Sequence, residues 1–138
     1  MQQTINVDLQ TIKTWCDSNL LSFNINKTNI LTFRCSFGGV YLGEQPVESQ
    51  PSTKFFGLII DSGLKFEDHI VKLNKRLSSS CYAVRVASAQ LGVAVARIVY
   101  YSLFESHLRY GIAFWGFCSR QLLNSAFVVQ KRAVRYMC

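Results

Sequence analysis

The chain has 138 residues, 49% of them hydrophobic and 17% charged, with two prolines, so it can bury a core and is too apolar to remain an unfolded polymer. Arg97, Glu105 and Arg109 interrupt its longest apolar stretches, and none reaches the roughly 20 apolar residues of a membrane-spanning helix. The formal net charge of +7 is uneven: residues 1–61 carry four bases against five acids and residues 62–138 eleven against three, so the second part calls for an anionic partner.

In chain order, Ile5, Leu9, Ile12 and Cys16 recur three or four residues apart and predict an amphipathic helix over residues 4–19. Two β-rich runs, 21–25 and 30–34, flank the turn composition Asn26-Lys27-Thr28-Asn29 and predict a strand pair or a helix-to-strand corner. Gly38-Gly39 and Gly43-Glu44-Gln45 punctuate short runs around residues 40–42 and at Val47, and Pro51-Ser52 leads into the run 54–60, which together predict a small antiparallel sheet. From residue 62 the pattern is helical. Glu67-Asp68 suits the positive end of a helix dipole, and Ile70, Leu73 and Leu77 give that helix an apolar stripe to about residue 89. A second helix runs from near Gly92 toward Leu108 and weakens at Gly111. A third follows Ser119 as N-cap, with Leu122, Leu123, Ala126, Phe127, Val129 and Val134 as its apolar side. The expected architecture is α+β: a helix and small sheet over residues 1–61, then a basic bundle of about three helices over residues 62–138.

The N-terminus lacks a basic patch followed by an apolar run, so no secretory signal is expected, and the five cysteines are read as thiols of a reducing, intracellular compartment. Their odd number, the absence of a C-x-x-C pair and only two histidines, His69 and His107, favour small buried or idle thiols over a zinc site.

The residues resemble a known family. Trp15-Cys16-Asp17, with Asn19-Leu20-Leu21-Ser22-Phe23-Asn24-Ile25-Asn26-Lys27-Thr28 and Ile30-Leu31-Thr32-Phe33, resembles the motif D region of non-LTR retrotransposon reverse transcriptases of the jockey type. Lys54-Phe55-Phe56-Gly57-Leu58-Ile59-Ile60-Asp61, with Leu64-Lys65-Phe66 and His69-Ile70, is similar to the family's motif E, the primer-grip hairpin. Tyr101, Leu103, Leu108-Arg109-Tyr110-Gly111, Trp115 and Gln130-Lys131-Arg132-Ala133-Val134-Arg135 are similar to its helical thumb. The resemblance implies that residues 1–61 are the last part of a polymerase palm and residues 62–138 a thumb that holds an RNA/DNA primer-template duplex. It assigns the family's Mg²⁺ ions to a Tyr-x-Asp-Asp motif and an earlier aspartate, but the sequence holds no Asp-Asp pair. The segment is therefore expected to need no cofactor, to be catalytically inactive alone and to be a fragment or truncated copy of an element. Its expected partners include the remainder of the polymerase or a second copy of itself.

Among candidate site residues, Lys72, Lys75 and Arg76 fall within one helical turn and can address successive phosphates, with Arg97, Lys131, Arg132 and Arg135 extending the strip. No base-reading motif is visible, so such binding is expected to depend on salt and be largely indifferent to sequence. Phe55, Phe56 and Gly57 stand at the position of the primer grip, or simply fill a buried strand. Lys27 stands at the motif D lysine, or simply solvates a tight turn. Asp8 and Asp17 lie nine positions apart, about 180° around a helix, and form no metal pair by themselves. Tyr100, Tyr101, Phe104, Tyr110, Phe114 and Trp115 are read mainly as core, and Arg109 as the partner of Glu105. Two other readings stay open: a stand-alone basic module that holds RNA, DNA or a protein, and an inert relic.

Overall fold

The computed structural model describes residues 2–22, 24–33, 38–43 and 45–138. The chain divides into two compact units, Met1–Phe55 with Ile60–Leu64, and Phe56–Ile59 with Lys65–Cys138. Its elements are a first helix, two two-stranded sheets and then several helices, an α+β arrangement.

In the first unit, helix α1 (Gln2–Ser18) packs on strand β1 (Val40–Leu42), and Asn6 Oδ1 accepts from the Tyr41 N–H at 3.1 Å. Ile5, Leu9 and Cys16 of the expected stripe are half-buried, whereas Ile12, Val7 and Trp15 are exposed. Strand β1 pairs antiparallel with β2 (Gln45–Val47), Val40 opposite Val47 and Leu42 opposite Gln45, and its alternation buries Val40 and Leu42. The expected strand pair at 21–25 and 30–34 does not form among the described residues; Phe23 and Arg34 lie outside them. Ile25–Lys27 is one 3₁₀ turn, and Ile30 makes only an isolated bridge to Ser49. Local bonding explains the difference: the Thr28 hydroxyl donates to the Asn24 carbonyl at 3.0 Å, so the Asn/Thr-rich segment satisfies its backbone within a turn.

The run 54–60, for which the resemblance implies a hairpin, is not one continuous strand. It folds back on itself as β3 (Ser52–Phe55) and β4 (Leu58–Asp61), joined by Phe56 and Gly57 at φ 45° and 83°. Two successive left-handed residues give the backbone twist that two-residue hairpins favour. The single expected sheet is thus two separate hairpins.

The second unit is built on α2 (Glu67–Leu91), whose acidic first turn is the one its sequence predicts. Ile70, Leu73, Leu77, Cys81, Val84 and Ala87 are buried at the i, i+3, i+4 spacing of one continuous stripe. Gly92, at φ 86°, ends the helix. The next helical stretch is not uniform: α3 (Val93–Val99) passes through a π-helical segment (Tyr100–Glu105) into α4 (Ser106–Arg109). A short α5 (Ile112–Trp115) follows Gly111, and α6 (Arg120–Arg135) is capped by Ser119, whose Oγ accepts from the Leu122 N–H at 3.4 Å. The expected three helices are therefore two long ones and a broken middle one.

Helix α6 packs on α2 through Ala126, Val129 and Ala133, and Asn74 donates to Ser125 Oγ across the pair at 2.7 Å. Phe127 and Val134, expected on the apolar side, are exposed. At 100° per residue they sit about 80–100° round the helix from Ala126, and the two alanines let the backbones approach where larger side chains would hold them apart. The aromatic set also splits. Tyr100 and Phe104 stack at 5.2 Å, and both are buried with Trp115, whereas Tyr101, Tyr110 and Phe114 are exposed. Arg109 pairs with Glu105 at 3.4 Å. Cys81 and Cys118 are buried, Cys16 half-buried and Cys138 exposed, all free; Cys35 lies outside the described residues. Among the described residues no helix is long and apolar enough to cross a membrane.

Candidate functional site

On α2, positions 69, 72, 73 and 76 share one face by helical periodicity, and the fold turns that face into the wall of a cavity of about 400 Å³. His69, Lys72, Leu73 and Arg76 line it from α2, Phe56 and Gly57 from the hairpin tip, and Ser106, His107 and Tyr110 from the end of α4. That volume lies within the roughly 300–1,000 Å³ of small-ligand sites.

The tip is held in place from below. The Tyr110 hydroxyl donates to the Phe56 carbonyl, and Trp115 Nε1 donates to the Tyr110 carbonyl at 3.0 Å, so a fully buried indole fixes the backbone of the tyrosine that pins the turn. Gly57 brings the turn against Tyr110: a Cβ there would lie 3.6 Å from its ring. The Phe56 side chain is 78% exposed at the cavity rim.

His69 forms part of the floor. Its Nδ1 accepts from the Ile59 N–H at 3.4 Å, and its ring lies between Phe66 at 6.5 Å and Trp115 at 6.3 Å. Burial holds the imidazole below its ordinary pKa, and the charges of Lys72 and Arg76 push it further down. Its Nε2 is buried without a hydrogen-bond partner. Among the described residues no carboxylate lines the cavity, and neither Lys72 nor Arg76 has an ion-pair partner. The arrangement is a recess with two unneutralised cations, two imidazoles and an aromatic rim, which is suited to holding an anion attached to a flat or apolar group.

The other sequence-predicted residues lie elsewhere. Lys75 is exposed on α2, about 100° round from Arg76, and is not part of the cavity wall. Lys131 and Arg135 line a separate groove of about 390 Å³ on α6 with Phe127, Gln130 and Val134, and Lys131 Nζ sits 4.4 Å over the Phe127 ring. Arg132 lies near enough to Cys81, together with Arg85, to oppose the rise that burial imposes on that thiol. Arg97 is exposed on α3. Of the expected strip, Lys72 and Arg76 thus line one cavity and Lys131 and Arg135 another. Phe55 is exposed at the end of β3, and Lys27 is exposed at the end of the 3₁₀ turn; both belong to the first unit. Ser106, His107 and the hydroxyl of Tyr110 were not among the candidate residues. The spacing of His69 to Lys72 and Arg76 carried a signal for the histidine, whereas nothing local links Tyr110 to Phe56, 54 residues away.

No family model matches the chain, and no solved structure matches it. Over 127 residues the chain is 22% identical to the probable RNA-directed DNA polymerase from transposon X-element of Drosophila melanogaster, an alignment that covers 88% of this chain and 14% of that protein. This distant likeness supports a reverse-transcriptase-like segment. The chain spans about a seventh of the length of the curated relative it matches.

Proposed function

We propose that the chain is a segment of the reverse transcriptase of a mobile element, in which the second unit is a thumb that holds primer-template duplex through its phosphates. The observation that carries this reading is the recess on α2, where Lys72 and Arg76 line a cavity of about 400 Å³ that no carboxylate lines among the described residues. The likeness to a transposon polymerase supports it, as does the order along the chain of the segments that resemble jockey-type motifs. On this reading the Phe56-Gly57 tip is the primer grip, seated against the same recess, and Lys75, on the same helix, adds a neighbouring phosphate contact.

The segment contributes duplex binding and no chemistry of its own. The sequence has no Asp-Asp pair, and on this reading the Mg²⁺-dependent chemistry belongs to the rest of the polymerase. The exposed Val7, Ile12 and Trp15 of α1 offer an apolar face to the remainder of a polymerase or to a second copy.

The test is binding of the 138-residue chain to a fluorescent RNA/DNA primer-template beside each single strand. Duplex binding tighter than either single strand is the expected result. Equal affinity for all three favours a general basic binding module, and no binding at low salt removes the reading.

A further inference from the structure

Each residue from Phe56 to Ile59 is held by a different contact with the helices of the second unit, to which all the residues concerned belong. The Phe56 carbonyl accepts from the Tyr110 hydroxyl. Gly57 runs against the Tyr110 ring, 3.6 Å from where its Cβ would lie. The buried Leu58 side chain occupies the space that Gly111 leaves: a Cβ on Gly111 would fall 2.6 Å from Leu58 Cδ2. The Ile59 N–H donates to His69 Nδ1 at 3.4 Å. Gly111 also holds φ at 64°, a left-handed conformation that a side chain makes costly, so its lack of a Cβ is needed twice. Trp115 Nε1, donating to the Tyr110 carbonyl, ties the Tyr-Gly pair to a fully buried ring.

These contacts work against a cost. The turn is Phe-Gly where a two-residue hairpin favours Asn-Gly, and Phe56 is held at φ 45°, which a bulky L-residue adopts unfavourably. The seat therefore comes from the helices and not from the turn's own chemistry. The Tyr110 hydroxyl has one proton and gives it to the Phe56 carbonyl, so it is not a donor to a phosphate in the recess. We propose that Tyr110 and Gly111 are positioning residues of the nucleic-acid interface, a socket that presents the 56–59 turn and its exposed aromatic ring to the duplex beside Lys72 and Arg76. The inference rests on the nucleic-acid reading above and adds to it that part of the affinity is set by how fully the turn is seated.

The consequence is a shift of populations. Removing the hydroxyl takes away one hydrogen bond, worth a factor of about two to ten in an equilibrium, while the cost at Phe56 stays, so an unseated turn becomes populated. Affinity then falls in proportion to the seated fraction. Lys72 and Arg76 are untouched by the change, so the salt dependence of binding keeps its slope. Loss of a phosphate-binding cation, by contrast, makes that slope shallower.

The experiment compares the full chain with Tyr110→Phe and Gly111→Ala. Amide chemical shifts of Gly57 and Ile59 report the seated fraction, that of Leu77 reports the integrity of α2, and titration with an RNA/DNA primer-template over a range of salt gives affinity and slope. In Tyr110→Phe the Gly57 and Ile59 signals are expected to move toward those of an unstructured turn with Leu77 unmoved. Affinity is expected to fall about two- to tenfold, in step with the lost seated fraction and at an unchanged slope, and further in Gly111→Ala. Tyr110→Phe keeps the ring in place, so it carries the test where Gly111→Ala does not fold. Unmoved Gly57 and Ile59 signals in Tyr110→Phe, changes that spread to Leu77, full affinity despite a displaced turn, or a shallower slope each overturn the inference and leave the nucleic-acid reading standing. Absence of duplex binding by the unaltered chain overturns both.

Discussion

Phe56 holds φ at 45°, a conformation that costs a bulky L-residue about 1–3 kcal/mol and that asparagine adopts readily in the same kind of turn. The fold maintains it by anchoring the Phe56 carbonyl to Tyr110, and the aromatic ring reaches the cavity rim in return. Phe56→Asn is therefore expected to raise stability by about 0.5–1 kcal/mol and at the same time to weaken duplex binding. Denaturant unfolding and a binding titration on the same variant check both directions; a variant that gains stability and keeps full affinity removes the ring from the interface. His69 gives a second prediction. Its folded pKa lies below its unfolded one, so the unfolded chain binds the proton first as the pH falls. The stability that the neutral ring contributes is fully present above about pH 6.5 and is lost as the pH drops through the folded value. Unfolding midpoints measured from pH 7.5 down to 5 are expected to fall, and to fall less in His69→Gln.

Among the elements, α2 is the one on which the second unit depends. Its stripe packs against both α3 and α6, and Leu77 at its middle is wholly buried. Leu77→Ala is expected to destabilise the chain by about 2–5 kcal/mol, read from the denaturant midpoint, whereas a cost under 1 kcal/mol would mean that α2 is not the core. This stripe was legible in the sequence because apolar residues recur at i, i+3, i+4 spacing over about five turns from Ile70 to Ala87, and the Ser119 cap was legible because its chemistry is local. A hairpin at 54–61 was implied by the family resemblance, but composition and spacing alone did not place its tip, because the Phe56 carbonyl is held by a hydroxyl contributed 54 residues later. The π-helical segment from Tyr100 to Glu105 has no period of its own in the sequence, yet Ser106 and His107, which line the cavity, directly follow it. On α6, size was decisive: Ala126 and Ala133 turn inward and Phe127 outward, although hydrophobicity alone ranks them the other way.

For the whole molecule, the asymmetry of charge was plain in the sequence, since residues 62–138 carry eleven bases against three acids. Which of those bases act together was not, because it depends on how α2, α4 and α6 are turned. Lys72 and Arg76 share a recess, Lys131 and Arg135 share another groove, and Lys75 and Arg97 belong to neither. If the α2 recess is the principal nucleic-acid contact, its two cations supply a defined part of the salt dependence. The measurement that tests this most directly is the affinity for primer-template duplex against salt concentration, for the unaltered chain and for Lys72→Ala/Arg76→Ala. The account predicts weaker binding and a double-logarithmic slope shallower by about two, close to 0.9 for each lost phosphate contact. A variant that keeps both the affinity and the slope of the unaltered chain would contradict it.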